Sequence, residues 1–138
     1  MAKPRNFLFV CQGNDSRSQM AEGFAREMAN GNVNVYSAGR EPRDLNDCAV
    51  DVMKEVGIDV SDQASKDFGK IPVGKIDTVI TLSSDADPIP KLKKNKVTQI
   101  HWPLNDPAAT SGNDAEVKRA YRAVRDEIRN RVQVLLVG

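Results

Sequence analysis

The sequence predicts an α/β fold: a three-layer, open, mainly parallel four-stranded sheet with helices on both faces. Three observations predict it. Strand-like and helix-like segments follow one another in the order β-α-β-α-β-β-α, the pattern of a sheet built through crossovers. The first strand-like segment, Phe7-Leu8-Phe9-Val10, is apolar at every position, as in a strand buried on both faces. Most connections are long enough to carry a helix across the sheet, which parallel neighbours require. The 138 residues fit one domain, 1–138, large enough to bury its own core.

Each element has its own signal. The Phe7–Val10 run stops at Cys11, and a polar, glycine-containing turn follows. A helix is expected from Ser18 to Asn30, because Met20, Phe24 and Met28 recur at four-residue spacing on one face. That stripe reads as core. Asn30-Gly31 supplies a stop. Val33-Asn34-Val35-Tyr36 alternates like a short strand. A second helix starts near Asn46 or Asp47, carries Ala49, Val50, Met53 and Val56 on its apolar side, and ends at Gly57. Thr78-Val79-Ile80-Thr81-Leu82 is rich in β-branched residues, and Thr98 to Trp102 is a weaker fourth strand. The last helix has a capping box, Asn113 with Glu116. Val117, Tyr121, Val124, Ile128, Val132 and Leu135 then mark its buried face.

Composition excludes several classes. A net charge of +1 offers no basic surplus for nucleic acid; the lysines at 91, 93, 94 and 96 read as a solvated loop. No apolar run is long enough to span a membrane, and the N-terminal run of four is too short for a signal peptide. A cytoplasmic location is expected. Two cysteines and one histidine cannot build a disulfide framework or a structural zinc site. In a reducing compartment a well-placed cysteine is expected to be catalytic.

The chemistry concentrates in Cys11-Gln12-Gly13-Asn14-Asp15-Ser16-Arg17-Ser18. Five residues separate Cys11 from Arg17. A loop of this length between a strand and a helix can wrap a tetrahedral anion with the N–H groups of Gln12, Gly13, Asn14, Asp15 and Ser16. Gly13 permits positive φ and Asn14 tolerates it. The loop runs into a helix N-terminus, which favours negative charge. Arg17 offers a planar fork for two oxygens. The same surroundings favour a Cys11 thiolate, and the Ser18 hydroxyl can donate a hydrogen bond to it. A buried strand-end thiol and a surface arginine would account for the two residues with no chemistry. The position between an apolar strand and an amphipathic helix weighs against that.

These residues resemble the arsenate reductases built on the low-molecular-weight protein tyrosine phosphatase fold. The likeness runs through Cys11 to Phe24, Tyr36-Ser37-Ala38-Gly39, Met53 to Asp59, Asp106-Pro107-Ala108 and Val124 to Ile128, nearly the whole chain. It implies Cys11 as nucleophile, with Arg17 and the loop amides as the oxyanion site. It also implies Asp106 as the general acid that protonates the leaving oxygen, a role that needs a carboxylic acid above the nucleophile. By itself, an Asp before Pro reads as a turn residue. Phosphatases of this fold carry aromatic residues after Asp-Pro, whereas Ala108-Ala109 follow here.

The chain departs from the resemblance in one respect that matters. Thioredoxin-linked reductases of the family relay oxidation through two further cysteines after the third strand. Here Ser83 stands where the first is expected and none follows in 84–90. Serine forms no disulfide, so the relay is absent; sequence does not distinguish a natural serine from an engineered one. The resemblance then implies an external thiol, glutathione or mycothiol with a glutaredoxin-type protein rather than thioredoxin, and no bound cofactor. Some members bind potassium behind the loop. Asn14, Glu22 and Ser37 match that site, but Lys66 occupies the place of an acidic ligand, so no metal is predicted.

The remaining candidates carry weaker signals. Cys48 could be a resolving thiol, although only a helix start suggests activation. His101, before Trp102, reads as packed or hydrogen-bonded. Asp85 and Asp87 are a thin case for a cation site. Arg40 and Arg43 could line the mouth of the site, or be ordinary surface charges. The leading expectation is arsenate reduction, with a redox partner protein, no nucleic acid and no membrane. The alternatives are phosphomonoester hydrolysis through a phosphocysteine, and a non-catalytic oxyanion-binding domain.

Overall fold

The computed structural model describes residues 4–29, 31–83 and 97–137. Asn30, Asp85, Asp87 and the lysines of 91–96 lie outside them. Four strands, β1 (Arg5–Val10), β2 (Val33–Ala38), β3 (Thr78–Ser83) and β4 (Thr98–Leu104), form one sheet. All pairings are parallel and the order is β2-β1-β3-β4. The expected α/β class is therefore the observed one. The chain leaves β1 for β2 on one side and reaches β3 on the other, so the carboxyl end of β1 lies at a topological switch point, where such sheets bind ligands.

Among the described residues three α-helices, α1 (Arg17–Met28), α2 (Asp47–Glu55) and α3 (Asp114–Val137), share one apolar cluster with Phe7, Phe9, Ile80, Leu82 and Trp102. Met20 and Phe24 are fully buried there and Met28 packs partly against them, so the stripe is core. Burying each such side chain stabilises by about 1.5–3 kcal/mol. On the other face, Leu8, Val10 and Val79 pack under Ile71 and Ile76, from a segment holding two short 3-10 turns, Phe68–Lys70 and Val73–Lys75. The alternation along β1 is what divides its residues between the two clusters.

Boundaries shift where local chemistry is ambiguous. Helix α1 ends at Met28, two residues before the expected stop, with Ala29 extended and Gly31 taking positive φ. Strand β2 runs on to Ala38 because Ser37 and Ala38 pair with Phe9 and Val10; neither residue type announces a strand. Strand β4 continues through Pro103 to Leu104, which is tolerated on an edge strand. The capping box forms as expected: Glu116 N donates to Asn113 Oδ1 at 2.9 Å, and Asn113 N reaches back to Glu116 Oε1 at 3.5 Å.

A charged clamp joins α2 to α3. Glu55 accepts from Arg122 Nη2 and from Arg125 Nη1, both at 2.8 Å. Arg125 also takes the Val52 carbonyl at 3.0 Å near the end of α2. Hydrogen bonds from Arg122 first, and from Arg125, pull the Glu55 carboxyl from 4.5 down to about 2. A carboxyl depressed on folding stabilises the protein above its unfolded value and loses that contribution as pH falls through the folded one. Glu55→Gln is therefore expected to lower the urea midpoint at pH 7, with the gap to wild type narrowing between pH 4.5 and pH 3. A gap that stays constant over that range would show that the charge of Glu55 contributes nothing.

Candidate active site

Cys11 is the residue after β1, and its side chain is 1% exposed. Its Sγ lies 2.9 Å from Ser18 Oγ, in the first turn of α1. Either atom of that pair can donate, and Asn14 fills one acceptor position of the hydroxyl. Asn14 Oδ1 accepts from Lys66 N at 2.9 Å, which orients the amide, and Asn14 Nδ2 donates to Ser18 Oγ at 2.8 Å. The serine hydrogen remains available to point at sulfur.

The loop turns its carbonyls outward. Gln12 O accepts from Glu41 N, Gly13 O from Arg43 N, Asp15 O from Asn46 N, and Asn14 O from Ser65 Oγ and Gln19 Nε2. Asn14 takes the left-handed conformation at φ 48°, as its tolerance of that region allowed. Among the described residues, the N–H groups of Gly13, Asn14, Asp15 and Ser16 have no protein acceptor. Successive free N–H groups running into a helix N-terminus make an anion nest.

Arg17 opens α1 and is 7% exposed. Its Nη1 donates to Leu104 O at 3.0 Å and, more weakly, to Leu82 O at 3.5 Å, so the guanidinium spans the carboxyl ends of β3 and β4. Its Nη2 lies 3.7 Å from Asp106 Oδ2. Its Nε is buried without a partner among the described residues, an expensive state for a charged donor unless an anion meets it. The fold thus brings Asp106 to the arginine of the loop, about 90 residues away in sequence. The turn reading of Asp106 also holds, since its other oxygen, Oδ1, accepts from Ala108 N at 3.0 Å.

The likeness to known proteins takes in nearly the whole chain. The sequence profile of the low molecular weight phosphotyrosine protein phosphatase family matches residues 6–137. The chain belongs to that family. Within it, the arsenate reductase of Halalkalibacterium halodurans is 43% identical over 91% of this chain and 90% of its own length. Among solved structures, an arsenate reductase in the phosphate binding state superposes with a TM-score of 0.83 at 33% identity, covering 96% of this chain and 97% of the other. An arsenate reductase in oxidized state gives 0.82 at the same identity and coverage.

The other candidates fall out around this family's site. Ser83 is the last residue of β3 and is buried, and its Oγ has no partner among the described residues. Cys48 lies in the first turn of α2, packed against the main core; burial pushes its thiol above 9.0, the wrong direction for a nucleophile. His101 Nδ1 shares a 2.6 Å hydrogen bond with Thr81 Oγ1. Arg43 lies over Gly13, its Cδ 3.2 Å from where a Cβ there would sit; Arg40 is exposed. The potassium ligands implied by the family resemblance do not fit a free cation here, because Lys66 Nζ stands among them, 3.3 Å from Ser37 Oγ and 3.7 Å from Glu22 Oε1.

Sequence reasoning missed the groups behind the loop. Gln19 is fully buried and its Nε2 binds Asn14 O, Asn14 Oδ1 and Ala64 O. Gly39 passes so close that a Cβ would lie 2.7 Å from Asn14 N and Gln12 O. Tyr121, also buried, reaches Asn46, and desolvation raises its phenol to about 12. Gln19 sits one position before the apolar stripe of α1, and its burial requires partners because an unpaired buried amide is costly.

Proposed function

We propose that this chain is an arsenate reductase in which Cys11 is the nucleophile, Asp106 the general acid and an external thiol the reductant. The observation that carries the reading is the Cys11 sulfur under the Ser18 hydroxyl, at the floor of a loop whose free N–H groups and Arg17 Nε await a tetrahedral oxyanion. The names of the relatives support arsenate as that oxyanion. Gln12, Gly13, Asn14, Asp15 and Ser16 would bind it through their amides, Arg17 through its fork, while Ser18 holds the thiolate.

The Cys11 thiolate forms a bond to arsenic(V), and one arsenate hydroxyl takes a proton from Asp106 and leaves as water. An external thiolate then attacks the Cys11 sulfur. The electron pair of the S–As bond departs with arsenic, which becomes arsenite, and Cys11 is left in a mixed disulfide. A second thiol reduces that disulfide and restores the thiolate. Neither Ser83, which has no sulfur, nor the core-packed Cys48 suits the resolving role. Glutathione or mycothiol with a glutaredoxin-type protein, in a reducing cytoplasm, fits better than thioredoxin.

Asp106→Asn keeps the bond from Ala108 N but removes the proton. It is expected to lower turnover by about 10²- to 10⁴-fold, with phosphate still bound. Wild-type turnover in this variant would remove Asp106 from the mechanism. The function itself is tested by supplying arsenate with each reductant system, beside an aryl phosphate. Arsenite formed with a small thiol and its glutaredoxin-type protein is the expected result. Phosphate release with no arsenite under any reductant would make the chain a phosphomonoesterase, and neither product would leave an oxyanion-binding module.

A further inference from the structure

In α1, next to the segment that holds the loop, a buried carboxylate is held by oxygen and nitrogen donors. Glu22 of α1 is 3% exposed. Its Oε1 accepts from Ser37 Oγ at 2.5 Å and its Oε2 from Arg26 Nε at 2.9 Å. The Arg26 side chain is 57% exposed, so solvent screens much of its charge. The second cation is Lys66. Its Nζ donates to Ala64 O at 2.8 Å and to Ser37 Oγ at 3.3 Å, and lies 3.7 Å from Glu22 Oε1. Carboxylate, hydroxyl and carbonyl oxygens are the hard donors that a monovalent metal ion would select. A compact ammonium with three N–H donors stands where that ion would.

The same residue grips the loop through its backbone. Lys66 N donates to Asn14 Oδ1 at 2.9 Å and Lys66 O accepts from Gly39 N at 2.9 Å. Its neighbour Ser65 holds Asn14 O at 2.7 Å. Asn14 then passes its own N–H to Ser18, and Ser18 faces Cys11. A three-bond path therefore runs from Lys66 to the sulfur.

We propose that Lys66 is a positioning residue that acts as a tethered monovalent cation. Its ammonium fills the oxygen site formed with Glu22, Ser37 and Ala64, and so holds its backbone against Asn14 and aims the Ser18 hydroxyl at Cys11. The inference rests on the loop geometry and is independent of which oxyanion the chain transforms.

The test compares wild type, Lys66→Met and Lys66→Arg, each in a Cys48→Ala background, in potassium, sodium and choline chloride at one ionic strength. The readouts are Tm and the pH profile of Cys11 alkylation by iodoacetamide. Wild type should give the same values in all three salts. Lys66→Met in choline should alkylate about tenfold more slowly at neutral pH, the size of a typical network coupling, and potassium should restore the rate saturably. Lys66→Arg should stay nearer wild type. A saturable potassium response in wild type, or a wild-type alkylation profile for Lys66→Met in choline, overturns the proposal. Should Lys66→Met fail to fold in every salt, the wild type decides alone: equal values in the three salts carry the proposal and a potassium-specific response overturns it.

Discussion

Cys11→Ser is expected to lower arsenite formation by at least about 10⁴-fold, the scale on which removing a covalent nucleophile acts. The change is nearly isosteric in a site that is 1% exposed, so Tm should shift little. What disappears is the thiolate. A serine hydroxyl is not ionised at neutral pH, and neither Ser18 nor Asn14 is a base that could take its proton. Phosphate should still protect the loop against proteolysis, because the amides and Arg17 are intact. Measured turnover within about a hundredfold of wild type would show that another group attacks arsenic. Cys48 would then be the first suspect, despite a thiol that burial pushes upward.

Arg17→Lys is expected to cost about 10²- to 10³-fold in kcat/KM, the usual loss when a donor to a charged transition state is removed. The charge survives, so the loss measures geometry. The guanidinium reaches Leu104 O and Leu82 O from Nη1, approaches Asp106 with Nη2, and leaves Nε for the loop. A lysine ammonium cannot meet the strand carbonyls and an oxyanion from one point. Phosphate should compete correspondingly less well in the variant, while Cys11 remains alkylatable. If kcat/KM and phosphate competition both match wild type, Arg17 serves only to join the ends of β3 and β4.

Much of the fold was legible because its signals are local. An unbroken apolar run marked β1, a four-residue spacing marked α1, and a capping box marked the start of α3. The elements that outran their signals are β2 and β4. Ser37, Ala38, Pro103 and Leu104 are strand residues because neighbours offer them partners, and nothing in their types requires it.

The candidate site divides in the same way. Cys11, Gly13, Asn14, Arg17 and Ser18 lie within eight residues, and short-range geometry dictates what a loop between a strand and a helix N-terminus can hold. The sequence by itself therefore determined an α/β sheet with an anion loop and one well-placed thiol, and the absence of a sulfur at Ser83. Only the tertiary structure decided that Asp106 reaches Arg17, that Gln19 and Lys66 hold Asn14, and that Cys48 packs against the core, where burial outweighs the nearby Lys118 and Arg122 and raises its thiol. Those contacts join residues separated by tens of positions along the chain, apart from the short Gln19 link. They exist because parallel strands bring their carboxyl ends to one edge, where segments distant in sequence must satisfy each other's buried polar groups.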